Sequence, residues 1–374
     1  MRRVDRPNVA SEVRTLADIA ASTQLLDGLI LAAGFEDRAF RLIEAGTFRE
    51  GAQCVLIRFQ NDVLGNAEVF ARYREVAYRK FGPANVHVVD LTHSNPGRLE
   101  GDLARTLLLL PRDARLFGID LSGQPAYAIC MTLKALRTHR AGERQFAYYT
   151  AAVEYHPTRA EYETIASGSE EIELLPQSMA LEMSENLTLD PFSGYRSQNA
   201  RSCLAILAGY EAHRSTGVVE AVNPALLLLL YGNPGDPSLA WRLELSRRLH
   251  SKFERGRRTA TEVVSTLHVN ESLDVLEQYY DYLIDDYDLV VAPIGSKMHS
   301  LAAYLFWERY GEIRLTFPLP IGYDPEIRPR GAGTTYEVEL SPRRPLLISA
   351  GGPVSATMGA EQLDGEAGQA QASE

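Results

Sequence analysis

The chain has 374 residues, 45% of them apolar and 23% charged, with a formal net charge of −11. That length holds more than one average domain, the composition is ordinary for a globular protein, and the acidic excess argues against a surface built to capture nucleic acid wholesale. Direct nucleic-acid binding is therefore not expected.

Three cysteines, Cys54, Cys130 and Cys203, form no CxxC pair, so neither a disulfide scaffold nor a cysteine-rich zinc site is expected. Each lies in an apolar run, which reads as a buried thiol in a reducing cytoplasm. The opening MRRVDRPNVASEVRTLADIA is too polar for a signal peptide. No apolar run nears the roughly 20 residues that cross a bilayer, and ALLLLLY at Ala225–Tyr231 is far too short. No membrane partner is expected.

Residues 1–24 read as an N-terminal arm. From there strands and helices alternate. GLILAAGF (Gly28–Phe35) reads as a strand and DRAFRLIEAG (Asp37–Gly46) as a short helix. QCVLIRF (Gln53–Phe59) is a second strand, followed by a helix over Asn66–Gly82 that ends on glycine. VHVVDL (Val86–Leu91) is a third strand, and GRLEGDLARTLLLL is helical up to Pro111. RLFGIDLS (Arg115–Ser122) is a fourth strand, and Pro125–His139 a helix. Apolar strands alternating with helices predict a mainly parallel sheet with right-handed crossovers. Residues 25–155 form this first domain and 156–200 the linker and edge elements; the sequence is already less periodic from Phe146 onward, a stretch that reads as edge strands and linker.

Residues 201–342 repeat the order. CLAILAGYEAHR (Cys203–Arg214) echoes LILAAGFEDR (Leu29–Arg38), with Gly34 and Glu36 falling on Gly209 and Glu211 at an offset of 175. ALLLLLYGN echoes QCVLIRFQN. EVVSTLHVN echoes HVVDLTHSN, again at 175, so that His93 matches His268 and Asn95 matches Asn270. LVVAPIGSKMHSLAAYLF echoes RLFGIDLSGQPAYAICMTL, with Gly123 on Gly295 at 172. The predicted fold class is α/β: two tandem Rossmann-like parallel-sheet halves related by internal duplication, a pseudo-dimer. Any two parallel α/β domains look alike at strand level; the shared Gly-x-Glu and His-x-Asn details argue for a closer relation. Residues 343–374, rich in Ala, Gly, Gln, Glu and Ser, read as a disordered tail with too little apolar surface to offset ordering entropy.

In such sheets ligands sit beyond the carboxyl ends of the strands, where helix N-termini offer unpaired N–H groups to anions. APIGSKMHS is the best-equipped strand end. Gly295 allows a tight turn, Ser296 caps a helix or donates to phosphate, and Lys297 puts a full charge beside a helix N-terminus. A cation there opposes the helix dipole, and a locally unfavourable choice at a strand mouth points to function. The plainer reading makes Ser296 an N-cap and Lys297 a solvated residue. His299 points into the site or packs on the helix. In the matching loop GIDLSGQPAY, Asp120 is a hydroxyl acceptor or base, or only a turn residue, beside Ser122 and Gly123.

Glycine followed by Glu and Arg recurs as Gly34, Glu36, Arg38 and as Gly209, Glu211, Arg214. Each pair contacts ribose, base or phosphate, or is a structural ion pair. It is not a GxGxxG fingerprint, so no dinucleotide cofactor is expected. Asn233, in the turn-rich YGNPGD, lines the cleft or makes the turn. Phe317–Leu340 reads as a loop plus an edge strand: either it folds over the cleft, with Tyr323, Arg328 and Arg330 stacking on or binding a nucleotide, or it is a rigid loop closing the sheet edge. There is no P-loop, HExxH or GxSxG, and the eight histidines lack metal-ligand spacing, so neither a metal nor a cofactor is expected.

Gly295-Ser296-Lys297-Met298, at a strand end and leading into an Ala-rich helix, resembles the signature of the CRISPR-associated Rossmann-fold (CARF) domains. In that family the turn is a phosphate-holding loop for cyclic oligonucleotides, and two domains face each other across a two-fold axis. The related SAVED domains of antiphage signalling systems resemble a fusion of such a pair. The match covers about ten residues plus the general α/β order, and the first half lacks the Lys-Met pair. The resemblance implies a nucleotide or cyclic-oligonucleotide sensor in a bacterial defence or signalling system, with Lys297 on phosphate and a separately encoded effector or ATPase as partner. Two other readings stand beside it. One is a nucleotide-processing enzyme, of phosphodiesterase or nucleoside hydrolase or transferase type, using Asp120, Glu36, Glu211 and His299 as acid–base groups. The other is a non-catalytic scaffold that docks an effector.

Overall fold

Runs such as Gln53–Phe59 and Leu226–Tyr231 are apolar without alternation, the pattern of strands covered on both faces. The computed structural model describes residues 8–22, 24–60, 66–92, 95–166, 183–195, 201–255, 257–320 and 327–342. In chain order the first elements are β1 (Arg14–Leu16), α1 (Ile19–Ser22), β2 (Leu26–Ala32), α2 (Arg41–Ala45), β3 (Phe48–Phe59), α3 (Asn66–Phe81), β4 (Val86–Leu91), α4 (Arg98–Leu109), β5 (Leu116–Asp120), α5 (Ala126–His139) and β6 (Arg144–Thr150). Next come α6 (Arg159–Ala166), β7 (Met183–Leu187), β8 (Arg201–Ala208), α7 (Ala212–Val222), β9 (Leu226–Asn233), α8 (Ala240–His250), β10 (Thr259–Ser265), α9 (Val269–Leu283), β11 (Tyr287–Pro293), α10 (Lys297–Arg309), β12 (Arg314–Leu315), β13 (Phe317–Pro320) and β14 (Thr335–Leu340).

A seven-stranded sheet runs β1-β14-β6-β5-β2-β3-β4, and a five-stranded sheet runs β10-β9-β8-β11-β12. The block β6-β5-β2-β3-β4 is parallel throughout, as is the whole second sheet. Numbered within its own half, each block has the order 3-2-1-4-5. Helices separate the strands, as right-handed crossovers require. The α/β expectation is met, and the strand order recurs in both halves.

Two strands depart from the sequence reading. Phe146 onward was assigned to linker and edge elements, but β6 pairs on both sides, with β5 and with β14. The strand at the end of Phe317–Leu340 is likewise no edge. β14 lies antiparallel between β6 and β1, inside the sheet of the first half. Its alternating sequence gives it two faces but says nothing of its neighbours. The other strand of that span, β13, pairs with β7 in a two-stranded ribbon.

The helices after the fourth strand of each half, α5 and α10, pack on each other and join the sheets. Both are apolar nearly all round. Met298–Phe306 are buried without a break, and so are Tyr127–Leu133, as expected of central helices. Ile129, Leu133 and Leu136 share one hydrophobic core with Leu301, Ala302 and Leu305. A buried ion pair also ties the two helices: Arg137, 2% exposed, grips Glu308 at 2.6 Å. Cys54, Cys130 and Cys203 are buried free thiols, as the sequence indicated. Among the described residues no helix is long and apolar enough to cross a membrane.

Candidate functional site

In an order 3-2-1-4-5, the chain leaves the first and fourth strands in opposite directions, opening a crevice between them. Each sheet therefore has its switch point between neighbouring strands, β2 and β5 in one and β8 and β11 in the other. The four loops at these strand ends carry most of the singled-out residues. A cavity of about 610 Å³ is lined by Gly34, Glu36, Arg38 and Gly123 from the first half, and by Gly209, Glu211, Arg214, Gly295, Ser296 and Lys297 from the second. This volume lies within the range of small-ligand sites.

The glycines serve close approach of loop to loop. A Cβ on Gly34 would stand 2.9 Å from the Cα and carbonyl oxygen of Gly123. In the second half a Cβ on Gly209 would stand 3.3 Å from the Gly295 Cα. The same two loops thus meet backbone to backbone in both halves, which narrows each crevice and sets its floor.

Lys297 opens α10 and reaches across to the other half, where its Nζ donates to the carbonyl oxygen of Gln124 at 2.6 Å. Burial lowers its pKa to about 8. Glu36 and Glu211 favour the charged form, while Arg38 and Arg214 oppose it. Both Glu–Arg pairs therefore converge electrostatically on this one amine. The 172-residue offset places Pro125 where Lys297 stands in the second half. One lysine thus bridges both loops.

Ser296 and His299 are occupied with the helix itself. Ser296 caps α10, its Oγ accepting from the His299 N–H at 3.1 Å and donating to the Thr266 carbonyl at 2.7 Å. His299 completes a capping box: its Nδ1 accepts from the Ser296 N–H at 3.3 Å, and its Nε2–H donates to the Ser265 carbonyl at 3.0 Å. Burial pushes the imidazole down to about 4, so it is neutral. Met298 is buried in the core.

The two Glu–Arg sets are ion pairs, differently finished. Arg38, 4% exposed, gives Nε to Glu36 at 2.5 Å and Nη1 to Tyr149 Oη, Thr150 O and Tyr155 Oη at 3.0–3.2 Å. Its pKa is raised well above the usual value: burial opposes the charge, but Glu36 and the two tyrosines outweigh it. Arg214 gives Nη1 to Glu211 and Nη2 to the Pro318 carbonyl at 2.9 Å.

Other candidates lie off the cavity wall. Asp120 is 1% exposed, its Oδ1 accepting from the Ser122 N–H at 2.8 Å; burial pushes its pKa up to about 6 against Ser122 and Arg38, which pull it down. Ser122 Oγ accepts from the Thr150 N–H at 2.9 Å. Asn233 makes the turn, its side chain accepting from Gly235 N–H at 3.0 Å. His268 is the N-cap residue of α9, and Asn270 donates to the Ala10 carbonyl at 3.2 Å. Asn95 sits in the turn before α4, its carbonyl accepting from the Arg98 N–H. Arg328 and Arg330 are absent from the described wall, where their neighbours Ile327 and Pro329 stand. His93 and Tyr323 lie outside the described residues.

The cavity also brings in residues the sequence reading passed over: Tyr127, Tyr149, Tyr155, Tyr210 and Arg242. The signal for three of them was the aromatic density of FAYYTAAVEYH, read as linker, and of AGYE. Tyr155 bridges the halves: its hydroxyl meets Arg38 and Tyr149, and its carbonyl accepts from Arg242 Nη2 at 3.2 Å. The assembled site offers cationic donors, two helix N-termini with first-turn N–H groups, and several aromatic faces. That inventory suits an anionic ligand with flat rings.

Fold and cavity together define an α/β protein whose two doubly wound parallel sheets share one cavity at their switch points. No family model matches the sequence, and no curated protein does. A structure of a Type III CRISPR defence DNA nuclease activated by cyclic oligoadenylate aligns with 78% of this chain at 13% identity and a TM-score of 0.45. The alignment spans 64% of that nuclease. A multidomain structure of an adenylation, ketoreductase and pseudo Asub assembly, from a keto acid-selecting NRPS module, aligns with 76% of this chain and 28% of its own, at 10% identity and a TM-score of 0.18. Likenesses of this degree carry no argument about function.

Proposed function

We propose that the chain binds a nucleotide or oligonucleotide signal in the shared cavity and acts as a sensor in a defence or signalling system, read out by a separately encoded effector. The recurrence of the strand order, together with the sequence offsets, supports reading the two halves as a duplicated pseudo-dimer around that cavity. The observation that carries the proposal is Lys297. It is a buried amine at the helix start of a switch point, held against the opposite half, with two Glu–Arg pairs converging on it. A phosphate displaces the Gln124 carbonyl as the partner of that amine, and the tyrosines accept the bases.

Isothermal titration with a panel of cyclic and linear di-, tri- and tetranucleotides tests the proposal. Micromolar binding is expected. Lys297→Ala is expected to weaken it by about 10- to 150-fold, the worth of one charge-assisted hydrogen bond of about 1.5–3 kcal/mol. Absence of micromolar binding across the panel overturns the reading.

A further inference from the structure

The equivalent arginines of the two halves are not equally committed. In the first half, Arg38 spends Nε and Nη1 on Glu36, Tyr149, Thr150 and Tyr155. In the second half, Arg214 and Arg242 both line the cavity, and each keeps a buried Nε–H with no acceptor among the described residues. A buried donor without an acceptor costs free energy, and native structures hold few of them, so two on one wall need a reason. Arg242 is 9% exposed. Its guanidinium is boxed by aromatic rings, 4.8 Å from Trp241 and 5.6 Å from both Tyr155 and Tyr210. That stacking holds the guanidinium plane in place. Of the acids on this wall, Glu211 is paired with Arg214, and Asp236 turns to the Ser238 N–H at 2.8 Å.

Building on the nucleotide reading above, we infer that the ligand carries a phosphate off the pseudo-two-fold axis, against the second half, held by Arg214 and Arg242. A ligand with two equivalent ends would meet two equivalent walls. These walls differ: Arg214 and Arg242 each keep a buried Nε–H without an acceptor among the described residues, whereas the Nε–H of Arg38 is given to Glu36. The chemistry that fits is a linear nucleotide with a terminal phosphate. Its phosphate end lies toward α7 and α8, its internal phosphodiester at Lys297, and its bases on the tyrosines. Arg242 is thus a binding residue that selects the terminal phosphate.

The experiment is isothermal titration of the full chain with three probes: a linear dinucleotide bearing a 5′-phosphate, the same dinucleotide without it, and the corresponding cyclic dinucleotide, in adenine and guanine forms. The expected result is tightest binding of the 5′-phosphorylated linear probe. Arg242→Gln should lower that affinity about tenfold or more while moving the dephosphorylated probe less than about twofold. Arg242→Lys, which keeps the charge, should recover part of the loss, and far-ultraviolet dichroism of both variants shows whether the fold is kept. Equal affinity of the wild type for the two linear probes overturns the inference. So does a cyclic probe that binds tightest and is untouched by Arg242→Gln, although the sensor reading then stands. Failure of every probe to bind overturns both.

Discussion

The ion pair between Arg137 and Glu308 is the most demanding test of how α5 and α10 are joined. Arg137 is 2% exposed and meets Glu308 through two nitrogens at 2.6–2.8 Å, with Nη2 also donating to the Ser341 carbonyl at 3.1 Å. Glu308 accepts in addition from Tyr304 Oη at 3.1 Å. Arg137→Met leaves a largely buried carboxylate without its cation, at a cost of about 3–5 kcal/mol, and Glu308→Leu strands the guanidinium at a similar cost. Replacing both removes two charges whose desolvation already offsets most of their attraction. Beyond the pair itself, the double variant loses the smaller bonds to Gln145, Ser341 and Tyr304. Its destabilisation is expected to fall short of the sum of the single variants by about 2 kcal/mol or more. Urea denaturation of the four proteins, compared at their midpoints, reads this coupling directly. A double variant as unstable as the two single losses added together would refute the account of a coupled buried pair.

Three further outcomes follow from the geometry. Gly34→Ala is expected to destabilise the fold by about 1–3 kcal/mol, because its Cβ meets Gly123 backbone at 2.9 Å, whereas Gly142→Ala, with nothing within 4 Å, should be neutral or slightly stabilising; thermal melting separates them. Stability is expected to fall as pH drops from about 6.5 to about 4, because His250 and His299 are buried neutral in the fold but take up protons once unfolded. Asp120, raised to about 6, works in the opposite direction but is one group against two, so a midpoint that is flat or rises on acidification contradicts the assignment. Affinity for an anionic ligand is expected to decline as pH rises through about 8, where Lys297 loses its proton, and Lys297→Arg should flatten that decline in titrations at pH 7 and 9.

Local chemistry was legible in the sequence wherever it is decided by near neighbours. Uninterrupted apolar runs gave β3, β8 and β9, and the glycine after Phe81 marked the end of α3. The same pattern located the switch-point loops, because strand ends in a parallel sheet lie on one side. What lies further off in sequence was not legible. His299 looked like a possible site residue because a capping box ordinarily carries Glu or Gln at that position, and imidazole in the role is easily missed. Gly34 was read only as part of a Gly-Glu-Arg set, yet the atoms nearest a Cβ placed on it belong to Gly123, some ninety residues away. Arg242 and Tyr155 sit in segments with no strand-end signature, and only the tertiary fold brings them to one wall.

The path of β14 has a mechanical consequence. Having completed the second sheet, the chain returns to the first and inserts between β6 and β1, so that Leu16 pairs with Thr335 and Thr150 also pairs with Thr335 from the other side. The polypeptide is buckled like a belt, its late strand fastened through a loop formed by its early ones. A cut near residue 200 would leave the first piece with β6 bare along one side and β1 with nothing to hold. The seven-stranded sheet and the β7–β13 ribbon would then depend on the pieces finding each other again. Pulling the halves apart around the cavity would likewise load the β14 hydrogen bonds.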